Sequence, residues 1–349
     1  MHVLCGRPVS SALRRMVQTR SSSARATRRD AASAAPAAAA VEWDDVHNFR
    51  DVADTDPMIL PGRIFRAAAP VLATAPDIRR LYGELGVKEL IDLRSTDELR
   101  TMPQEHFAVF DGISFCKYVR DYVTMRSVPD PLSTQITDSD VMRVHIAPLE
   151  KRRLYRTLLG RMPLRTAAYV VATSIVNKEA GRAAAINEVN AEGLEGLYEI
   201  LLDTAKLEWV AALQRILAAA EKQRPVLFFC KAGKDRTGIL AALLLSVLGA
   251  SEEQIVADYV KSDAWHHVAL AGIENDSRVA ALDRAKFERA PAAAMRHALA
   301  HLRETAGGPE AYLLSAGLTA EELRRLRAAL LRPGAPGGPP AGGAGAAKL

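Results

Sequence analysis

VLFFCKAGKDRTGILAALLLSVL, residues 226–248, decides the fold of this chain. The stretch opens with four apolar residues, the length of a buried strand, and ends with ten that are almost all apolar, the length of a buried helix. A polar loop with glycines at 233 and 238 joins the two runs. A buried strand that passes straight into a buried helix is typical of a sheet with helices packed against it.

The rest of the chain alternates segments with strand periodicity and segments with helix periodicity. Strands are predicted at 63–66, 87–92, 113–119, 144–146 and 226–229, and helices at 77–85, over most of 151–220, from 237, and at roughly 251–262, 291–305 and 319–331. This alternation predicts an α/β fold with a central, largely parallel sheet flanked by helices.

The loop after the strand combines a nucleophile with an anion cradle. Cys230 lies where the strand ends and the helix begins, and helix N-termini and nearby cations favour the reactive thiolate form of cysteine. Gly233 lets the chain curl so that the N–H groups of 231–236 converge on one anion. Arg236, six residues after the cysteine, adds a planar fork suited to two phosphate oxygens. The loop therefore predicts phosphate ester chemistry with Cys230 as the nucleophile.

The remaining loop residues receive supporting roles. Thr237 is placed to donate its hydroxyl to the sulfur as it leaves a phosphocysteine intermediate, and Gly238 to let the helix approach the sheet. A proton donor is required for the leaving oxygen, and Asp235 in the loop and Asp92 at the end of a neighbouring strand are the two candidates, with Asp121 and Asp130 next. The predicted substrate contacts within the loop are Lys231, Ala232, Gly233, Lys234, Thr237 and Gly238.

This loop resembles the signature of the protein tyrosine phosphatase superfamily. It is most similar to the tyrosine/dual-specificity branch that includes secreted bacterial enzymes acting on phosphoproteins and phosphoinositides. The similarity spans most of 43–331 and also rests on Asn48-Phe49-Arg50-Asp51, Gly62-Arg63-Ile64-Phe65-Arg66-Ala67, Ile91-Asp92-Leu93-Arg94-Ser95 with Glu98, Leu248-Gly249-Ala250, Asp258-Tyr259-Val260-Lys261-Ser262, Tyr312-Leu313, Gly317-Leu318 and Leu323-Arg324.

The resemblance implies a phosphatase-like fold and a metal-independent hydrolase without cofactors. Its expected substrate is a phosphoprotein, with phosphotyrosine foremost, or a phosphoinositide, and Asn48, Arg50 and Arg94 are expected to border the phosphate pocket. The helices at about 151–220 match the place where relatives carry a helical insertion that covers the site. The alternative is that the apolar stripes of these helices serve only to pack the core.

Three residues of the loop keep alternatives open. The family usually has histidine before the nucleophile, whereas this chain has Phe229, so a phosphate-binding module without turnover is the second hypothesis. The loop has lysines at 231 and 234, and this is similar to the loop of phosphoinositide 3-phosphatases. The alternative is that either lysine side chain simply points to solvent. Sulfur or arsenate chemistry on a similar loop is disfavoured by the run Lys234–Gly238.

Composition excludes several classes of protein. Hydrophobic residues make up 49% and charged residues 25% of the 349 residues, an ordinary globular balance, and no apolar run reaches the length of a bilayer span. The net charge of +5 comes from residues 1–40, where seven arginines face one acid, so it is no argument for nucleic acid. The three cysteines show no metal-ligand or disulfide spacing. We therefore expect a monomer with no metal, no nucleic-acid partner and no transmembrane segment.

The chain divides into three parts. Residues 1–40 are Arg- and Ser-rich and almost free of acids, which predicts a disordered basic leader of the transit-peptide type, for a plastid in preference to a mitochondrion. Without such targeting the protein would be cytoplasmic. Residues 41–332 form the predicted catalytic domain, and the Pro/Gly/Ala-rich tail 333–349 is predicted to be disordered.

Overall fold

The structure is a computed structural model that describes residues 43–101, 103, 106, 109–267 and 282–339. In these ranges one seven-stranded sheet is formed by β1 (Arg50–Asp51), β2 (Ile64–Ala68), β3 (Glu89–Asp92), β4 (Ser114–Asp121), β5 (Arg126–Pro129), β6 (Met142–His145) and β7 (Val226–Cys230). The inner strands are parallel, and only the two outermost pairs are antiparallel. The predicted α/β class with a largely parallel sheet is confirmed.

Twelve α-helices lie within the described ranges. They are α1 (Ala75–Arg79, continued by a π-helical turn over Arg80–Glu84), α2 (Thr96–Arg100), α3 (Lys151–Arg161), α4 (Leu164–Val176), α5 (Lys178–Thr204), α6 (Lys206–Glu221), α7 (Asp235–Val247), α8 (Glu252–Val260), α9 (Arg284–Phe287), α10 (Ala292–Ala306), α11 (Pro309–Ser315) and α12 (Ala320–Leu330). Helix α5 is broken at Gly193, whose φ of 66° and ψ of −158° are not helical.

The strand order places β7 inside the parallel region, one strand from its edge. The order is β1-β2-β7-β3-β6-β4-β5, so β7 pairs with β2 on one side and β3 on the other. In the register, Cys230 lies beside Ala68, and Phe229 lies beside both Ala67 and Asp92. The loops that follow β2, β3 and β7 therefore meet at one edge, which is the edge where α/β sheets bind their ligands.

Side chains of β7 alternate between two hydrophobic layers, as the period of a strand requires. Phe228 and Cys230 face the larger layer, which includes residues of α5 to α8, whereas Leu227 and Phe229 face the layer beneath α1. Phe229 is completely buried and its ring stacks on Phe110 with 6.1 Å between centroids. The residue that replaces the family's usual histidine is thus part of the core, on the face of the sheet opposite the nucleophile.

Helix α7 is apolar on all sides because it is enclosed on all sides. Its residues Ile239 to Leu245 are at most 5% exposed, as predicted for a buried core helix. Gly238 allows close packing of this helix, as predicted, but its contact is with another helix and not with the sheet. A Cβ atom there would lie 3.0 Å from the ring of Tyr259 on α8, so the glycine admits a neighbouring helix rather than the sheet. None of the helices in the described ranges combines the length and the apolar character that a membrane span requires.

The first residues of the predicted tail contact the rest of the domain. Ala335 is 6% exposed and packs into the larger core layer, and the N–H of Gly334 donates to the carbonyl of Pro339. The disorder of 333–349 stays a prediction. Residues 340–349 and the predicted leader 1–40 lie outside the described residues.

Candidate active site

The loop from Cys230 to Asp235 curls tightly against strand β2. Cys230 is the last residue of β7 and Asp235 the first of α7. Gly233 has a φ of 66°, and a Cβ atom at this position would lie 2.4 Å from the carbonyl carbon and oxygen of Ala67. Both the left-handed backbone and the close approach require glycine.

The carbonyl groups of the loop are held on its outer side. The Lys231 carbonyl accepts from the N–H of Ala69 at 3.2 Å, and the side-chain amide of Asn48 donates to the carbonyls of Ala232 and Gly233 at 3.1 and 3.0 Å. All described peptide bonds are trans, so the N–H that shares a peptide plane with each carbonyl points the opposite way. The N–H groups of Ala232, Gly233 and Lys234 therefore point away from these partners, which is the orientation that the predicted cradle requires.

A buried ionic cluster fixes Asn48 and the loop from behind. Asp258 on α8 accepts from Arg50 Nε at 2.7 Å and from Arg66 Nη1 at 2.5 Å. Arg50 also donates to Asn48 Oδ1 at 2.5 Å, and Arg66 to the carbonyl of Gly233 at 3.0 Å. Burial alone would raise the pKa of the Asp258 carboxyl, but the two guanidinium groups outweigh it and hold the pKa at about 2. Asn48 and Arg50 thus support the loop and do not border the pocket as predicted.

Asp92 and Arg94 form a second buried cluster. Asp92 is fully buried and accepts from Arg94 at 2.6 Å and from Arg143 at 2.7 Å. Burial opposes ionisation, yet the two arginines hold the pKa of the Asp92 carboxyl well below its usual range. The Arg94 guanidinium lies 5.5 Å from the ring centroid of Phe229. A carboxylate in this setting carries no proton at neutral pH, which argues against Asp92 as the acid, and Arg94 is not among the pocket-lining residues.

Arg236 is aligned by a carboxylate at the start of α2. Ser95 caps this helix, and Glu98 returns a hydrogen bond to the Ser95 N–H at 2.6 Å. Both Glu98 oxygens also accept from Arg236, at 2.5 Å from Nη1 and 2.9 Å from Nη2. Burial would raise the pKa of the Glu98 carboxyl, but the Arg236 charge outweighs it and sets the pKa at about 2. The guanidinium is therefore held in one orientation at any working pH.

Asp235 is held by a pair of buried tyrosines. Tyr198 on α5 donates its hydroxyl to Asp235 Oδ1 at 2.8 Å, and the Tyr259 hydroxyl lies 2.7 Å from the Tyr198 oxygen. Burial and the Asp235 charge raise the pKa of Tyr198 well above its usual value, so the phenol stays protonated. These contacts use Oδ1 and leave Oδ2 for another partner.

Lys234 points neither to solvent nor to a substrate. Its side chain is 2% exposed, and Nζ donates to the carbonyls of Phe287 and Arg289 at 2.7 and 2.8 Å and lies 3.0 Å from Asp235 Oδ1. It ties the loop to the segment before α10, so its predicted substrate contact is wrong in this structure. Thr237 is fully buried, and its hydroxyl has no hydrogen-bond partner in the described ranges, the Cys230 sulfur included.

A cavity of about 380 Å³ opens above the loop. Five loop residues line it: Cys230, Lys231, Ala232, Asp235 and Arg236. The opposite walls are mostly apolar and come from α3, both halves of α5 and the neighbourhood of α9. Lys151 at the start of α3 and Arg182 in α5 add positive charge. The cavity thus joins a sulfur nucleophile, an arginine and a carboxyl beneath an apolar cover, and the predicted helices at 151–220 supply much of that cover.

Sequence reasoning missed the residues that act on the loop from far along the chain. Tyr198 lies in the helical range 151–220, where the sequence indicates only a cover or core packing, and Glu98 enters the sequence analysis only through the resemblance. Lys151 and Arg182 carried no motif. The capping pattern Ser95-x-x-Glu98 is the one signal that was readable, since it predicts where the Glu98 carboxylate lies. No group of His, Cys, Asp and Glu side chains in the described ranges is arranged to hold a metal ion.

Comparison with known proteins agrees with this geometry. A model of the tyrosine phosphatase family matches residues 41–332. The chain is 30% identical over 301 residues to the triple specificity protein phosphatase PtpB of Mycobacterium tuberculosis. The aligned region covers 81% of this chain and 96% of PtpB. It is 33% identical over 152 residues to a tyrosine-protein phosphatase of Nostoc commune, which covers 40% and 49% of the two chains. The chain belongs to the tyrosine phosphatase family and is a cysteine-dependent phosphatase, a phosphoric monoester hydrolase.

Proposed function

We propose that the enzyme cleaves phosphotyrosine in proteins with Cys230 as nucleophile, Arg236 as phosphate clamp and Asp235 as general acid. The single observation that carries this assignment is that these three side chains line one cavity. The Cys230 thiolate attacks phosphorus, the ester P–O bond breaks, and the leaving oxygen takes the proton of Asp235. The inward N–H groups and Arg236 hold the phosphoryl oxygens throughout.

The second half of the reaction regenerates the enzyme. Water attacks the phosphocysteine, Asp235 now accepts the proton of that water, and the S–P bond breaks to release inorganic phosphate and the thiolate. Asp235 suits both roles because Tyr198 and Lys234 hold it through Oδ1. Its other oxygen, Oδ2, serves first the leaving oxygen and later the water.

The apolar walls support an aromatic substrate. Leu154, Leu158, Ile186 and Leu197 face the cavity, and its 380 Å³ matches the size of small-molecule sites. A phosphotyrosine ring would bury apolar surface there, whereas phosphoserine would not. The relative PtpB is named as a triple specificity protein phosphatase, so several phosphoamino acids belong in the test. We expect kcat/KM to be highest for phosphotyrosine in a panel of matched phosphotyrosine, phosphoserine and phosphothreonine peptides. Equal values of kcat/KM would contradict the inference that the apolar walls select an aromatic substrate.

A phosphoinositide is the second candidate, favoured by the cations of the cavity. Lys234 no longer contributes to that case, because it is buried and bonded to carbonyls. Lys151, Arg182 and Lys231 do, since all three line the cavity. If inositol lipids are substrates, neutralising Lys151 and Arg182 with glutamine should lower kcat/KM for the polyphosphorylated headgroup more than for phosphotyrosine.

Replacement of Asp235 with asparagine is expected to remove the basic limb of the pH–rate profile. That limb reflects the need for a proton donor to the leaving oxygen, and asparagine cannot supply that proton. With a phenolic leaving group kcat should drop by about 10²–10⁴, the usual contribution of general acid catalysis. With a leaving group that needs no proton the drop should be much smaller, and rates for substituted aryl phosphates measure this directly.

Asp92→Asn is the matched control for that experiment. It should keep the basic limb and lower the stability instead, by about 3–5 kcal/mol, because it leaves Arg94 and Arg143 buried without their charge partner. A lost basic limb in Asp92→Asn, or a retained one in Asp235→Asn, would overturn the assignment of the acid.

Tyr198→Phe is expected to lower kcat by about three- to tenfold, the value of one net hydrogen bond. The phenylalanine keeps the packing and removes only the donor to Asp235. Tyr259→Phe is the control, since it leaves the Tyr198–Asp235 bond in place and should change kcat less. Equal losses in the two variants would contradict a positioning role for Tyr198. Leaving-group dependence of kcat, together with melting temperatures, separates positioning from general destabilisation.

The composition of residues 1–40 supports an organelle-directing role, for a plastid in preference to a mitochondrion. A fluorescent protein carrying this segment should enter that organelle in plant cells. The same fusion with its arginines replaced by glutamine should remain in the cytoplasm. Cytoplasmic fluorescence with the unaltered segment would contradict the proposal.

A further inference from the structure

Helix α4 turns five of its six large apolar residues outward and its hydroxyl residues inward, where Val170 is the one buried apolar side chain. Leu164, Ile175 and Val176 are 85%, 80% and 89% exposed, and Tyr169 and Val171 are also exposed. At the angular spacing of an α-helix all its exposed residues fall within one arc of about 160°. The other side carries Thr166, Thr173 and Ser174, all half-buried. This is the reverse of the pattern of a helix on a water-exposed surface, where the apolar face packs on the core.

The same region is positively charged without compensation along the sequence. Residues 151–178 contain seven Lys and Arg and no acid. Arg153 and Arg161 reach acidic residues elsewhere in the fold, but Arg152 and Arg156 on α3 and Arg165 on α4 are exposed. The outward face of α4 therefore carries an exposed cation, Arg165, and the helix before it in the chain carries two more.

We propose that the outer face of α4, together with the exposed arginines of α3, docks on an anionic lipid surface. An apolar helix face bordered by Lys and Arg is the composition that lies in the boundary between headgroups and acyl chains, and anionic headgroups attract the cations. A second copy of this chain would bring two surfaces of the same sign together, which opposes dimerisation through this face. Nucleic acid would satisfy the arginines but leave five exposed apolar residues in water.

The docking helix is directly connected to one wall of the catalytic cavity. Only Met162 and Pro163 lie between α3 and α4, and α3 lines the cavity through Lys151, Leu154 and Leu158. The inference concerns a surface outside the catalytic machinery, so it stands or falls separately from the identity of the phosphate ester.

Co-sedimentation of the full chain with vesicles tests the proposal. Binding is expected to phosphatidylcholine vesicles that contain about 30 mol% phosphatidylserine, to be much weaker with phosphatidylcholine alone, and to decrease as salt is added. The double variant Ile175→Ser/Val176→Ser should bind at least about tenfold more weakly, since it removes two exposed aliphatic side chains that the lipid would bury. Arg152→Gln/Arg156→Gln should weaken partitioning by about fivefold for each cation removed.

Two controls match these variants. Leu132→Ser removes an apolar side chain that is 97% exposed in the loop between β5 and β6, and Arg79→Gln removes an exposed cation of α1, on the other face of the sheet. Both should bind as the wild type does, and all four variants should hydrolyse a soluble aryl phosphate normally, which shows that they are folded. The proposal is overturned if the wild type does not bind anionic vesicles, or if Ile175→Ser/Val176→Ser binds them as well as the wild type does. It is also overturned if light scattering shows a dimer of the wild type that Ile175→Ser/Val176→Ser dissociates.

Discussion

Cys230→Ser is expected to abolish turnover and to leave phosphate binding intact. A serine hydroxyl stays protonated at neutral pH and cannot replace a thiolate as nucleophile, so kcat should fall by at least about 10⁴. The change is small in volume, and the cradle is built from backbone groups and Arg236. The wild type should release a burst of phenol from an aryl phosphate in rapid mixing, the variant should release none, and calorimetry with inorganic phosphate should give similar affinities.

The second buried cysteine supplies the control. Cys116 lies on β4, where the Thr134 hydroxyl is 3.7 Å from its sulfur, and it does not line the cavity. Cys116→Ser should retain the burst. Turnover by Cys230→Ser, or an equal loss in Cys116→Ser, would remove Cys230 from the role of nucleophile. A wild type that binds phosphate without any burst would show that Phe229 leaves a loop able to recognise phosphate but not to cleave its esters.

The central unit was predictable because its determinants are local. The strand, loop and helix from 226 to 248 follow from the two apolar runs, from the glycine that the curled loop needs and from the six-residue separation of Cys230 and Arg236. Longer elements were found for the same reason. Strands β1 and β5 and helices α2, α9 and α11 were missed. Each of these helices makes fewer than two turns, so its period does not repeat, and the two strands contain a single aliphatic residue between them, Val128.

The roles of the other charged residues were not predictable, because their partners are distant in sequence. Arg50 and Arg94 were expected at the phosphate, yet each is neutralised by a buried aspartate, Asp258 or Asp92. A loop lysine such as Lys234 is expected to face a ligand or solvent unless backbone carbonyls of a remote segment are available to it. Only the folded chain shows that the segment at Phe287 provides them.

Arg236→Lys is expected to lower kcat by about 10³ with an increase in KM, although the positive charge is kept. A single ammonium cannot bridge both oxygens of Glu98 and also present two parallel donors to a phosphoryl group, whereas the guanidinium does both. Arg182→Lys, at another cavity-lining arginine, is the control and should change kcat by less than about threefold, because the substitution keeps the charge and Arg182 is not assigned the phosphate clamp. The loss of kcat in Glu98→Gln should lie between the losses in Arg236→Lys and Arg182→Lys, since the amide keeps one acceptor for Arg236 but loses the charge. Steady-state kinetics on an aryl phosphate decide the matter: equal effects at 236 and 182 would mean that Arg236 supplies charge alone and that the fork geometry fixed by Glu98 plays no part in catalysis.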